Sequence, residues 1–251
     1  MIKAKPTKNF IGVEIEGDFN DFYELVDAIY RMTGLDDNMG DIYWCVKNRI
    51  MAIAYDIRHA YQGDRNVKTI HNGTYDEMMK WHNMVLPKDN VYYSVEILFP
   101  EALFIAFAVQ DFCIFTRMDY GKNEGGIGFK YSDFFKDRAL LEMLSSAVLG
   151  AFAEVIGEDE FEKIMKLKER QDHFYYVKYL GQYLDKCNIE LIKTSVDKRK
   201  TKIKNIAKRL IKKPEGYLSM EHELIEAASE VGCSVHELFD STLKYPDEIE
   251  W

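Results

Sequence analysis

The ionisable side chains of one short segment are the strongest candidates for chemistry in this sequence. Five of them fall within ten positions at the end of an apolar run. A histidine and two carboxylates beside two guanidinium groups could carry out acid–base chemistry on an anionic substrate, with arginine binding phosphate or carboxylate. The candidate catalytic residues are therefore Asp56, Arg58, His59, Asp64 and Arg65.

The same residues also fit a purely structural role. We expect a strand at Arg49–Ile57, so that Asp56 and Arg58 share one face and pair at the strand end. Positions 62–66 would then form a hairpin turn, and His59 would be a structural histidine. Ion-pair networks of this kind imitate catalytic sites.

A strongly basic segment is the second candidate. Lys193–Lys213 contains ten basic residues and one acidic residue, Asp197, and its apolar residues follow helical spacing. A cationic helix face could contact the phosphates of RNA or DNA, or a partner protein. The candidate binding residues are Lys198, Arg199, Lys202, Lys208 and Arg209. The alternative is a solvated face neutralised by the rest of the chain, which is acidic.

Other chemistry has little support in the residue spacing. The four cysteines are far apart, and His59, His71 and His82 lack the spacing of a zinc motif, so we expect no metal site. The glycine-rich segment 121–128 lacks the ending of a phosphate-binding loop and is interpreted as a connector. We expect no cofactor.

The composition indicates a globular protein. The 251 residues are 47% hydrophobic and 14% aromatic, and the net charge of −9 disfavours non-specific nucleic-acid binding. The first residues are polar, and charged residues interrupt the apolar region Val91–Phe115. We therefore expect a soluble, cytoplasmic protein without a signal peptide or a membrane span. The length and aromatic content are compatible with a homodimer.

Periodicity predicts an α+β fold. Strands are expected at Phe10–Glu16, Tyr43–Val46, Arg49–Ile57, Val67–His71 and Val91–Phe99. Helices are expected at Asp21–Thr33, capped by Asp18 or Asn20, at Asp76–Val85, and from Pro100 to Thr116. We expect the N-terminal sheet to be mostly antiparallel, with two packed helices, because only the first crossover contains a good helix.

The remainder of the chain has helical periodicity. Helices are expected at Phe134–Ile156, Glu158–Cys187, Ile189–Lys212, Glu221–Val231 and Val235–Thr242. The predicted organisation is an α+β unit at 1–120 and a helical region at 129–251, which could also pack together as one domain.

The segment Asp56–Arg65, followed by Asn72-Gly73, Tyr92–Val95 and Phe99–Glu101, resembles a family of uncharacterised bacterial proteins. The resemblance covers about residues 9–120. It implies a bacterial, cytoplasmic protein and assigns no activity and no catalytic residues.

Two functions follow as hypotheses. The first is a binding or regulatory protein without catalytic activity, which contacts nucleic acid or a partner through 193–213. The second is a hydrolase or transferase that acts on an anionic substrate at Asp56–Arg65, with Arg58 and Arg65 binding the substrate and His59 or Asp56 as the base.

Overall fold

The computed structural model describes residues 1–34, 42–121, 129–172 and 174–251, except for the side chain of Asp119. The predicted connector lies almost wholly outside these residues. The strands are β1 Lys3–Pro6, β2 Gly12–Gly17, β3 Asn66–His71 and β4 Asp89–Leu98. The helices are α1 Phe19–Thr33, α2 Trp44–His59, α3 Asp76–His82, α4 Phe99–Thr116, α5 Tyr131–Ile156, α6 Glu158–Lys168, α7 Gly181–Ile192, α8 Val196–Lys212 and α9 Glu215–Val231.

The four strands form one antiparallel sheet in the order β1-β2-β4-β3. On β2, Val13 and Ile15 are buried beneath helices, while Glu14 and Glu16 lie on the opposite, polar face. This alternation follows from the twofold period of a strand. The predicted α+β fold with a mostly antiparallel sheet is confirmed.

Helix α1 ends at Thr33 as predicted but begins two residues earlier, at Phe19, because Asp18 is its N-cap. Asp18 and Asp21 form a reciprocal capping box, in which each carboxylate accepts the backbone N–H of the other residue. Gly34 follows the helix at φ 72°, a conformation that favours glycine. The buried stripe of α1 packs against α2 and α5.

Helix α4 is the central helix of the core. Pro100 lies in its first turn, where proline's missing N–H needs no partner, and the helix is apolar on nearly all sides. By length and composition, α4 and α5 would each suffice to cross a membrane. In α4, 78% of that window is buried inside the protein, as is typical of a core helix.

The strands predicted at Tyr43–Val46 and Arg49–Ile57 are wrong, because residues 44–57 lie in helix α2 and Tyr43 is its N-cap. The short, branched apolar runs favoured a strand, but their buried side chains recur at helical spacing and pack on α1. The buried residues of α2 are Cys45, Val46, Ile50, Ile53, Ala54 and Ile57.

The C-terminal part is helical as predicted, but its boundaries differ. The single helix predicted at Glu158–Cys187 is wrong: α6 ends at Lys168 and α7 begins at Gly181. The connection buries Tyr176 and Tyr179 against Phe104 of α4. The helix predicted at Ile189–Lys212 is divided in the same way by residues 193–195. The one predicted at 235–242 is reduced to a 3₁₀ turn, Val235–Glu237.

Both halves of the chain contribute to one cluster of buried apolar side chains. Helix α5 packs against β1, α1 and α4, and α7 and α8 pack against α4. Leu141 and Leu144 of α5 therefore belong to the same core as Leu25 of α1 and Leu103 of α4. The division at 120–129 stays a prediction.

Candidate functional sites

The predicted catalytic residues lie at the end of α2 and in the turn after it. A π-helical turn, Ala60–Asp64, continues α2, and Gly63 within it has φ 93°. Positions 62–66 therefore follow a helix and lead into β3, instead of joining two strands. All five residues come together at this helix end, but not in the strand geometry expected for them.

The five side chains are mostly partnered with one another or with neighbouring residues. Asp64 Oδ2 lies 2.9 Å from His59 Nδ1, and Arg65 Nη2 donates to Asp56 Oδ1 at 2.8 Å. The Arg58 guanidinium lies 5.3 Å from the centroid of the Tyr55 ring. Asp56 thus pairs with Arg65, the arginine beyond the turn.

A histidine–carboxylate pair is suited to acid–base chemistry when the second ring nitrogen faces a substrate. In His59 that nitrogen, Nε2, is buried and has no hydrogen-bond partner among the described residues, while the ring packs 4.3 Å from that of Tyr55. A substrate proton would not reach it. This geometry favours the structural role for His59.

Three of the five predicted binding residues on the basic helix α8 already have intramolecular partners. Arg199 is buried and donates to the backbone oxygens of Asn9 and Thr194. Arg209 and Lys202 both contact the carboxylate of Glu190, each at 2.8 Å. Although burial alone would raise it, these contacts lower the pKa of Glu190.

The other cations of residues 193–213 also include some with contacts within the chain and some that are exposed. Lys204 lies 3.4 Å from Glu160, and Lys200 lies over the ring of Phe10. Lys213 lies over the rings of three tyrosines, and burial lowers its pKa. Lys193, Lys198 and Lys212 are exposed, and Lys208 is half-exposed. The cationic face open to phosphate is therefore smaller than the sequence suggests.

A partly buried polar cluster surrounds Arg49, and the sequence does not predict it. Arg49 binds both carboxylate oxygens of Asp185, at 3.0 and 2.8 Å, and contacts Glu101 at 3.3 Å. It also donates to the backbone oxygen of Gly181 at 3.0 Å. A Cβ atom at Gly181 would lie 3.1 Å from Arg49, so glycine permits this close approach.

The polar cluster joins elements that are distant in sequence. Asn188 donates to Glu101 and to the hydroxyl oxygen of Tyr245, and Tyr245 in turn donates to Asp185. Burial raises the pKa of Glu101 despite the nearby Arg49. The cluster thus links α2, α4, α7 and the C-terminal segment, which is a stabilising role.

A second buried ion pair connects α1 to α5. Asp137 is fully buried and accepts two hydrogen bonds from Arg31, at 2.8 and 2.6 Å, and one from Tyr120 at 2.8 Å. Arg31 also contacts Asp27 one turn earlier. Every oxygen of the buried Asp137 carboxylate has a donor, as a buried charge requires.

Residues Asn66–Val91, here called the arm, carry the two most exposed large apolar side chains of the described residues. The arm comprises β3, α3 and the start of β4, and all its residues are described. Thr74 is its only buried residue. Trp81 is 85% exposed and Val85 is 94% exposed. The other exposed large apolar residues of the arm are Val67, Ile70, Tyr75, Met84, Leu86 and Val91.

Two cavities lie away from the five predicted catalytic residues. One of about 490 Å³ lies between α4, α5 and α6, and Lys168, Glu142 and Glu158 are among its lining residues. The other, of about 480 Å³, separates the start of α1 from the arm and is lined partly by Phe19 and Tyr92.

Metal ligation has no support in the described residues. His59 pairs with Asp64, and His71 Nδ1 accepts the backbone N–H of Gly73. Across the described ranges, no three histidine, cysteine, aspartate or glutamate side chains are grouped as a metal site requires.

Comparison with known proteins places the chain in a family. No curated protein and no solved structure matches it. A family model matches residues 2–251, nearly the whole chain, whereas the sequence resemblance extended over about 9–120. The chain therefore belongs to the family described as a domain of unknown function, DUF6904.

Proposed function

We propose that this chain is a bacterial, cytoplasmic binding protein without catalytic activity, which docks another protein chain on the arm. The four cysteines are free, which supports a reducing compartment. No membrane or cofactor is part of this proposal.

The observation that carries the proposal is the exposed apolar surface of the arm. Single exposed apolar side chains are common on monomeric proteins, whereas a group of them on one segment is typical of an interaction site. Exposed aromatic residues such as Trp81 and Tyr75 are enriched at protein interfaces and contribute much of their binding energy.

The charge of the arm favours a protein over a nucleic acid. Its three lysines, at 68, 80 and 88, are balanced by Asp76, Glu77 and Asp89, whereas the whole chain carries −9. A neutral apolar surface provides no cationic track for phosphates. The basic helix α8 offers little more, because four of its eight cations are ion-paired or hydrogen-bonded within the chain and a fifth lies over the ring of Phe10.

The alternative function, a hydrolase or transferase at Asp56–Arg65, requires an accessible base. The buried Nε2 atom of His59 and the pairing of Asp56 with Arg65 do not support it.

Site-specific photocrosslinking in a bacterial cell that expresses the chain tests the proposal. p-Benzoylphenylalanine replaces Val85 on the arm, and in a matched control it replaces Ile225, an exposed apolar residue of α9. We expect a discrete crosslinked species of defined mass from position 85 and none from position 225. Absence of a discrete species at position 85, or the same species at both positions, would refute docking on the arm.

A further inference from the structure

We propose that the protein docked on the arm is a second copy of this chain, paired antiparallel along β3 so that two four-stranded sheets become one. This inference rests on the proposed function and names its partner.

Strand β3 is an edge without the usual protection against pairing. It is the last strand in the sheet order, and six consecutive residues pair with β4 without a bulge. It contains no proline, and five of its six residues are exposed. Natural edge strands normally carry a proline, a bulge, a lysine or a cover. The one lysine of β3, Lys68, is engaged within the sheet by Glu14 and Glu16. The opposite edge, β1, ends in Pro6 and packs against α5.

The direction of the free backbone groups follows from one hydrogen bond. The N–H of Asn72 donates to the oxygen of Lys88 at 2.8 Å, which continues the register of His71 opposite Asp89 by one step. Directly opposed residues in an antiparallel pair alternate between bonded and non-bonded. The backbone groups of Ile70 and Lys68 therefore form hydrogen bonds with β4, as the N–H of Asn72 does.

The residues between them present their backbone groups to the open edge. These are Val67, Thr69 and His71, and all three are exposed. A twofold axis through Thr69 places Thr69 opposite Thr69 of the partner subunit and Val67 opposite His71 of the partner subunit. All the outward groups then meet in bonded pairs, with about six backbone hydrogen bonds between the subunits.

Charge selects this register over its neighbour. Centring the axis on Lys68 would set two ammonium groups directly opposite each other, which is unfavourable. With Thr69 on the axis, Lys68 faces Ile70 of the partner subunit. In this register odd-numbered residues face odd-numbered residues of the partner subunit, so their side chains lie on the same face. The helices of both copies therefore lie on the same side of the joined sheet.

The neutrality of the arm permits contact between two acidic subunits. Each subunit carries −9, but the arm itself has no net charge. The remaining repulsion acts over longer distances and is screened beyond about 8 Å at physiological salt. Dimerisation should therefore strengthen as salt is added.

Sedimentation and light scattering of the full chain test the inference. A wild-type mass of twice 29.4 kDa is expected. Thr69→Pro removes an outward N–H and should give a folded monomer, because proline is tolerated at an open edge. Thr69→Ala keeps that N–H and should remain a dimer. A wild-type monomer at about 100 µM, where interfaces with a micromolar Kd are populated, would overturn the inference, and so would a Thr69→Pro dimer.

Hydrogen exchange of the wild-type protein supplies a readout that does not depend on a variant. The amides of Lys68 and Ile70 bond to β4 and should be protected in monomer and dimer alike. The Thr69 amide should be protected only in the dimer, so its rapid exchange at high protein concentration contradicts the pairing.

The two proposals can fail separately. A monomeric chain that still forms a discrete crosslink at Val85 with a protein of another mass refutes the dimer and leaves docking on the arm intact. Absence of any discrete crosslink at Val85, either to a second copy or to another protein, refutes docking on the arm itself.

Discussion

The hydroxyl group of Tyr245 donates a hydrogen bond of 2.8 Å to Asp185, and this contact joins the C-terminal segment to helix α7. The same hydroxyl accepts a bond from Asn188, and Asp185 also binds Arg49. A residue near the end of the chain thus completes a polar cluster whose centre lies on α2.

Replacing Tyr245 with phenylalanine should therefore destabilise the protein. The change removes two hydrogen bonds from a partly buried polar cluster, which we expect to lower the free energy of unfolding by about 1 kcal/mol. Urea denaturation measures the difference. Tyr23→Phe is the control, since Tyr23 is exposed like Tyr245 but its hydroxyl has no hydrogen bond among the described residues. Equal stability of the two variants would contradict the role of Tyr245.

The buried carboxylate of Asp137 should be the more sensitive position. Asp137→Asn leaves Arg31 without its principal partner, and removing one member of a buried pair costs about 3 kcal/mol. Asp27→Asn is the matched control, because Asp27 contacts the same arginine from an exposed position and should cost less than about 1 kcal/mol. Thermal and urea denaturation of both variants measure this difference. Similar losses in the two variants would show that burial does not determine the effect.

Substitution of the paired cations of α8 should lower stability, whereas substitution of the exposed, unpaired ones should not. Arg209→Ala should cost about 1 kcal/mol of stability, because it removes a partner of Glu190, while Lys198→Ala should cost nothing measurable. Denaturation of both variants tests this.

Nucleic-acid binding by the same helix should be absent or very weak. A filter-binding titration with mixed RNA and DNA at low salt is expected to show no saturable binding, because the free cations are few. Saturable binding that weakens with salt and is lost in Lys198→Glu/Lys208→Glu would instead establish a nucleic-acid interface on α8.

The sequence alone was sufficient for elements whose signals are local. Asp18, one of the two caps predicted for α1, and Pro100 in the first turn of α4 each act within one helical turn. The branched residues of α2 favour a strand, and only their packing against α1 shows that they follow the period of a helix. The sequence does not predict β1, because this strand is four residues long and mostly polar.

The candidate sites were harder to predict because their contacts are long-range. Arg49 and Asp185 are 136 positions apart, and Arg31 and Asp137 are 106 positions apart. The basic residues of α8 were recognised as a group, but their partner Glu190 lies on α7. The exposure of Trp81 and Val85 depends on the tertiary packing of the whole chain, which local sequence patterns do not predict.

Glu14 and Glu96 oppose each other on the polar face of the sheet and should have opposite effects on stability as a function of pH. Burial alone would raise the pKa of Glu14, but hydrogen bonds from Lys68, Ser94 and Lys5 lower it to about 2. Burial raises the pKa of Glu96, and the charge of Glu14 adds to this shift.

The sign of each effect follows from linkage between protonation and folding. The lowered pKa of Glu14 stabilises the protein above pH 4.5, the ordinary pKa of glutamate, and this stabilisation is lost as the pH falls towards 2. Glu14→Gln should therefore lower the melting temperature at pH 7 and have progressively less effect at lower pH. Because its raised pKa makes the Glu96 carboxylate unfavourable in the folded state at neutral pH, Glu96→Gln should raise the melting temperature at pH 7, with a gain that shrinks on acidification. Thermal unfolding of both variants from pH 7 to pH 2 measures these differences, and shifts of the same sign at pH 7 would contradict the assignment of the two carboxylates.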